Sequence, residues 1–182
     1  MSKNWVVTKI NKKFFLRVGT KVFKCQIGKS GYKIYTKKQE GDQATPIGKW
    51  RLKSIYYRSD KVLRPKVKNK TFKINKITKN CGWCDDPKSS CYNKYIHLNK
   101  NYYIKNFNFE KLWRDDHAYD LVIETSYNTS PIIKGKGSAI FVHCSFSDRR
   151  ETAGCVSVMK KDLILLIKNI SKKVYLEIKN NF

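Results

Sequence analysis

The chain has 182 residues, 41% of them hydrophobic, which is enough apolar material for a packed core. Its 39 basic side chains outnumber 14 acidic ones, for a formal net charge of +25, so a nucleic-acid partner has to be weighed. No apolar run reaches eighteen residues, which excludes a membrane-spanning helix.

Short apolar stretches separated by turn residues dominate the first third. Strands are predicted over 5–10, 13–18 and 21–27, with Gly19-Thr20 as the turn between the last two. Residues 49–57 alternate polar and apolar, as a half-buried strand does. The stretch 60–95 is polar and weakly periodic, and reads as a long excursion with short elements of the kind that carries function. Strong strand signals return at 119–127 and 137–144. Leu163, Leu166, Ile167 and Ile170 then fall on one helical face, with Asp162 near the helix start. A last strand closes the pattern in "KVYLEIK". Residues 1–182 thus read as one mostly β domain with at least one helix.

The basic residues run from Lys3 to Lys179 without forming a compact block. Lysines number 32 and arginines 7, and arginine is the better reader of bases and phosphates. A solvated lysine surface, or one attracted to an acidic polymer such as cell wall, fits better than a nucleic-acid site. Among six cysteines, Cys81, Cys84 and Cys91 make a C-x2-C-x6-C set for which His97 would be the fourth zinc ligand. No metal is assigned to it, and a disulfide within it would require an oxidising compartment. His97 reads as structural.

His143 ends the strand signal at 137–144, and Cys155 follows Gly154 just before the helical segment. A thiolate is a strong nucleophile and an imidazole can take its proton. Gly154 would let the backbone turn sharply, and the Gly154 and Cys155 amides are placed to hold an oxyanion. By spacing alone, two packed core residues are the favoured reading of such a pair.

The segment "GSAIFVHCSFSDRRETAGCVSV" resembles the active-site signature of the L,D-transpeptidase catalytic domain, the YkuD-like family, with a histidine followed by Ser/Thr-x-Gly-Cys. Thr152-Ala153-Gly154-Cys155 carries that motif. Upstream, "GDQATPIGKWRL" is similar to the family's Thr-Pro-x-Gly segment. "GWCDDPKSSCYN" and "LWRDDHAYDLVIETSYN" are similar to a branch with a Trp-Cys-Asp-Asp-Pro loop. The matches lie in order across roughly 41–168. Ser157 stands where many members carry an arginine, and His143-Cys144-Ser145 replaces the common His-Gly-Thr.

The resemblance implies a β-sandwich with a helix after Cys155. It also implies peptidoglycan stem peptides as substrate, with an amine from a second stem peptide, another amine or water as acceptor. Cys155 would attack the carbonyl at the L-centre of diaminopimelate and His143 would act as base and then acid. No metal or organic cofactor is required, and nucleic acid is not an expected partner. Trp83, Asp85, Asp86, Tyr92 and Asn93 would lie in a loop near the site, where a carboxylate could meet the diaminopimelate ammonium; an aromatic plug held by Asx turns is the alternative. His117 and Tyr119 precede the strand at 119–127, where His117 would shape the pocket or, as the favoured reading, cap that strand, and Arg149 or Arg150 could contact a substrate carboxylate. The family is periplasmic or wall-associated, although residues 1–15 lack the apolar centre of a secretory signal. Competing readings are a hydrolase on the same scaffold (a carboxypeptidase or an amidase acting on a wall linkage), a basic nucleic-acid binder, and a non-catalytic wall-binding module.

Overall fold

The computed structural model of the chain describes residues 4–68, 72–98, 107–146 and 150–179. Strands β1 (Trp5–Ile10), β2 (Lys13–Val18) and β3 (Lys21–Gln26) form an antiparallel meander. Its two-residue turns at Asn11-Lys12 and Gly19-Thr20 match the twist of the strands they join. Two short strands, β4 (Tyr32–Lys33) and β5 (Thr45–Pro46), then pair in parallel.

The long strand β6 (Gly48–Arg58) pairs with β7 (Ile74–Ile77). A separate three-stranded sheet is built from β8 (Cys81–Cys84), β9 (Tyr95–His97) and β10 (Phe109–Lys111), with β8 in the middle. The chain returns to the main sheet through β11 (Leu121–Thr125), β12 (Phe141–Cys144) and β13 (Val156–Val158). Helix α1 (Lys160–Lys168) and strand β14 (Tyr175–Ile178) follow. The main sheet runs β11-β12-β13-β3-β2-β1-β14-β6-β7, and β6 also pairs with β11. Pairing from β11 round to β6 therefore closes in a circuit, which protects those strands' edges, while β7 lies beside β6 as an edge strand.

Two apolar clusters lie on opposite sides of β12. Val142 and Cys144 belong to the larger one with Trp5, Leu16, Ile55, Val156 and Val158. Helix α1 adds Leu163, Leu166 and Ile167 to it, the face expected from their spacing. Burying each of these side chains stabilises the fold by about 1.5–3 kcal/mol. Phe141 belongs to the smaller cluster with Trp83, Tyr119, Ala139 and Cys155. This is the alternation of a strand buried on both faces.

Two expectations shift. The strand expected over 137–144 begins only at Phe141, because Gly137 (φ 94°) and Ala139 (φ 49°) leave the extended region. The excursion over 60–95 contains two strands, and Trp83 sits in one of them rather than in a loop. All four residues of β8 are buried, and Phe72, Ile77, Tyr92 and Asn93 add further buried side chains.

Candidate active site

Parallel pairing of β12 with β13 sets Val142 beside Val156 and His143 beside Ser157. Because side chains alternate, Val142 and Val156 enter the main core. His143 and Cys155 turn the other way, into one cavity of about 420 Å³. So the two residues that the sequence holds twelve positions apart line the same cleft.

The turn that presents Cys155 is held from within. Gly154 has φ 138°, and a β-carbon there would sit 3.0 Å from the Ala44 carbonyl oxygen, so glycine is required. The Thr45 hydroxyl donates to the Gly154 carbonyl at 2.9 Å and accepts from the Gly28 amide at 2.8 Å. The Thr152 hydroxyl donates to the Cys155 carbonyl at 2.6 Å and accepts from the Gly154 amide at 3.1 Å. The Gly154 amide therefore serves the turn, and of the two amides expected to hold an oxyanion that of Cys155 remains.

The Cys155 thiol donates to the Ala139 carbonyl at 3.0 Å and accepts from the Phe141 amide at 3.3 Å. His143 Nδ1 lies 2.8 Å from the Cys144 carbonyl oxygen. A carbonyl only accepts, so Nδ1 carries the proton and Nε2 is left as the basic nitrogen. The rings of Tyr119 and Phe146 stand edge-on to the imidazole at 5.2 and 5.9 Å. Burial pushes the thiol up to about 12, with Glu110 adding to the effect. Burial likewise pulls His143 down to about 4. At neutral pH the pair rests as thiol and neutral imidazole, not as a preformed ion pair.

Four charged residues that the sequence did not single out line the cavity: Lys38, Glu40, Glu110 and Arg114. Lys38 is buried against Asp42 at 2.6 Å. Arg114 is forked onto Asp116 and reaches Glu110 at 3.3 Å. Glu110 accepts from the Tyr119 hydroxyl at 2.8 Å, and burial pushes its carboxyl above the usual range. The only advance sign of these residues was the i,i+4 pairing of Glu110 with Arg114.

The expected binding residues divide. Asp85 and Tyr119 line the cavity. Asp85 has a buried Oδ1 without a hydrogen-bond partner, and burial followed by the nearby Glu40 raises its carboxyl. Trp83 and Asn93 stand behind the cavity. The Trp83 indole donates to Asn93 Oδ1 at 2.9 Å, and Asn93 Nδ2 donates to the carbonyls of Tyr127 and Asn128. Tyr92 is buried and donates to Glu40. Asp86 accepts from the Lys88 and Asn108 amides and latches its own loop, away from the cavity. His117 is exposed and meets Asp120 at 3.1 Å, also outside the cavity. The Arg150 guanidinium stacks 4.1 Å from the Phe146 ring centroid, behind the cavity wall. Arg149 lies outside the described residues. Cys81 bonds to the Tyr95 hydroxyl at 3.0 Å, and all six cysteines are free thiols.

The sequence model of the L,D-transpeptidase catalytic domain (YkuD) matches residues 3–176. The chain belongs to this family. Nothing among curated proteins matches the L,D-transpeptidase-family chain, and no solved structure does. Members are cysteine-dependent enzymes that act on peptidoglycan peptides. The β-rich architecture with a helix after Cys155 fits this L,D-transpeptidase family. No helix among the described residues is long and apolar enough to cross a membrane.

Proposed function

We propose that this chain is a peptidoglycan L,D-transpeptidase acting in the periplasm or cell wall, with Cys155 as nucleophile and His143 as base. The supporting observation is that both side chains line one cavity, in a chain matched by the family over 3–176. His143 Nε2 takes the thiol proton as Sγ bonds to the stem-peptide carbonyl carbon, and the Cys155 amide donates to the oxyanion. Because the resting pair is neutral, proton transfer and attack proceed together. The imidazolium then returns its proton to the leaving nitrogen, the C–N bond breaks, and a D-amino acid departs from a thioester. An acceptor amine attacks that thioester, gives a proton to His143, and the thiol re-forms.

The cavity's charges support an assignment of substrate ends. Arg114, which is partly exposed while Lys38 is buried against Asp42, suits the carboxylate of the leaving D-amino acid and stands in for the arginine that Ser157 replaces. Asp85, with its unpartnered buried oxygen, suits the side-chain ammonium of diaminopimelate.

Incubation with purified muropeptides, read by mass spectrometry, tests the reading. Transfer yields a crosslinked product lighter by one D-amino acid, and Cys155→Ala yields none. Asp85→Asn raises KM for stem peptides with a free side-chain ammonium and leaves an N-acetylated analogue unchanged. Hydrolysis alone, with a second stem peptide in excess, assigns the chain to the carboxypeptidase class instead.

A further inference from the structure

Helix α1 is apolar on two sides. Leu163, Leu166 and Ile167 fill the core, yet Ile164 and Leu165 face outward, where a helix of a globular domain normally carries polar groups. Beside Ile164 runs the segment 61–66, whose Leu63 is 94% exposed. Val62, Leu63 and Ile164 line a groove of about 470 Å³ between the segment and the helix. Such a cluster marks an interaction surface.

Lys61, Arg64, Lys66 and Lys168 line the same groove, and all four are exposed. Neighbouring acids do little to offset them. Asp60 is paired with Arg58 at 2.7 Å, and the buried Asp120 with Lys160 at 2.8 Å. Asp162 in the first turn of α1 and Asp115, which acts on Arg58, are further acids in this region.

A partner for this face must be apolar at its centre and anionic around it. A second copy would set one basic rim against another, in a chain carrying +25. A nucleic acid offers phosphates to the rim but nothing to Leu63. An anionic phospholipid surface supplies both. We propose that this face docks peripherally on an anionic bilayer, with Leu63 and Ile164 entering the headgroup–acyl boundary and the four cations meeting lipid phosphates. Cys144 faces the core beneath α1 while His143 faces the catalytic cavity. Docking therefore leaves that cavity open on the other side of β12. The proposal stands independently of the reaction assigned to the cavity.

The test is co-sedimentation of the full chain with vesicles of phosphatidylglycerol and phosphatidylcholine, or of phosphatidylcholine alone. Binding is expected on the anionic vesicles, weakening as salt rises. Leu63→Glu lowers the partition coefficient about tenfold or more, and Lys61→Gln and Lys66→Gln each lower it about fivefold. Val22→Glu is the control, since Val22 is 50% exposed on β3 and takes the same change of charge away from the groove. Equal losses in the Leu63 and Val22 variants mean that diffuse charge alone binds the vesicles, and overturn the proposal. So does absence of binding to anionic vesicles, whether or not Leu63→Glu abolishes a dimer or DNA binding instead.

Discussion

The sulfur of Cys155 lies 3.0 Å from the carbonyl oxygen of Ala139, and its thiol donates to that oxygen. Ala139 has φ 49°, and its amide donates to Asn93 Oδ1 at 3.1 Å. The same oxygen accepts from the Trp83 indole. A chain of contacts thus runs from Trp83 through Asn93 to the backbone that aims the thiol.

Asn93→Gly keeps the positive φ of 55° at that position and removes only the side chain. It leaves the Ala139 amide, the Trp83 indole and two carbonyls without partners. The expected cost is about 3 kcal/mol or more, since each stranded buried group is worth about 1–3. Thermal unfolding should report it as a lower Tm. kcat should fall at least tenfold at a temperature where the variant is folded. A lower Tm with unchanged kcat would reduce Asn93 to a structural residue.

His143 links stability to pH. Its folded value is about 4 against an ordinary 6.5, so between these pH values the unfolded chain binds the extra proton. Stability contributed by the neutral ring is present in full above pH 6.5 and is lost as pH falls towards 4. The loss is on the order of 3 kcal/mol. Denaturant unfolding across that window should show the slope in the native chain and its loss in His143→Gln. The acid limb of kcat/KM should also lie near pH 4 to 5, well below that of an ordinary histidine. A limb at 6.5 would contradict the burial argument.

The raised thiol sets an order of reactivity. At about 12 against an ordinary 9.0, Cys155 holds roughly a thousandfold less thiolate at neutral pH than an ordinary thiol. Iodoacetamide should therefore label the half-exposed Cys91 first, as mapped by peptide mass. Labelling of Cys155 should rise with pH well beyond 9. An acyl donor that fits the cavity should reverse the order if, as proposed, His143 removes the proton during attack. Cys91→Ser should keep full turnover. Fast alkylation of Cys155 at pH 7 would mean that an ion pair is already formed.

Gly154→Ala tests the turn. The added carbon meets the Ala44 carbonyl at 3.0 Å with φ at 138°, which costs about 1–3 kcal/mol. Because relief requires the turn to shift, kcat should drop more than the melting temperature implies. Thr152→Val removes the clamp without adding backbone strain and should reproduce the drop in kcat. Normal turnover in both variants would separate turn geometry from catalysis.

Much of this molecule is legible in the order of its residues. Strands at 5–10 and 13–18 and the buried face of α1 follow from periods of two and 3.6, which are properties of neighbouring residues. Thr152, Gly154, Cys155 and His143 stand out through their resemblance to a contiguous family signature, whereas their spacing alone favours two packed core residues. The tertiary structure decided the rest. Glu40, Glu110 and Arg114 reach the cavity from segments about 70 residues apart and share no period or motif. Asp86 was expected in a loop near the site and His117 either at the pocket or capping the strand at 119–127, and local hydrogen bonds hold both outside the cavity. The charge state of Cys155 and His143 is also invisible in sequence, since it depends on how much water the folded chain removes from around them. The identities of these two residues belong to the sequence; their neutrality at rest comes from burial.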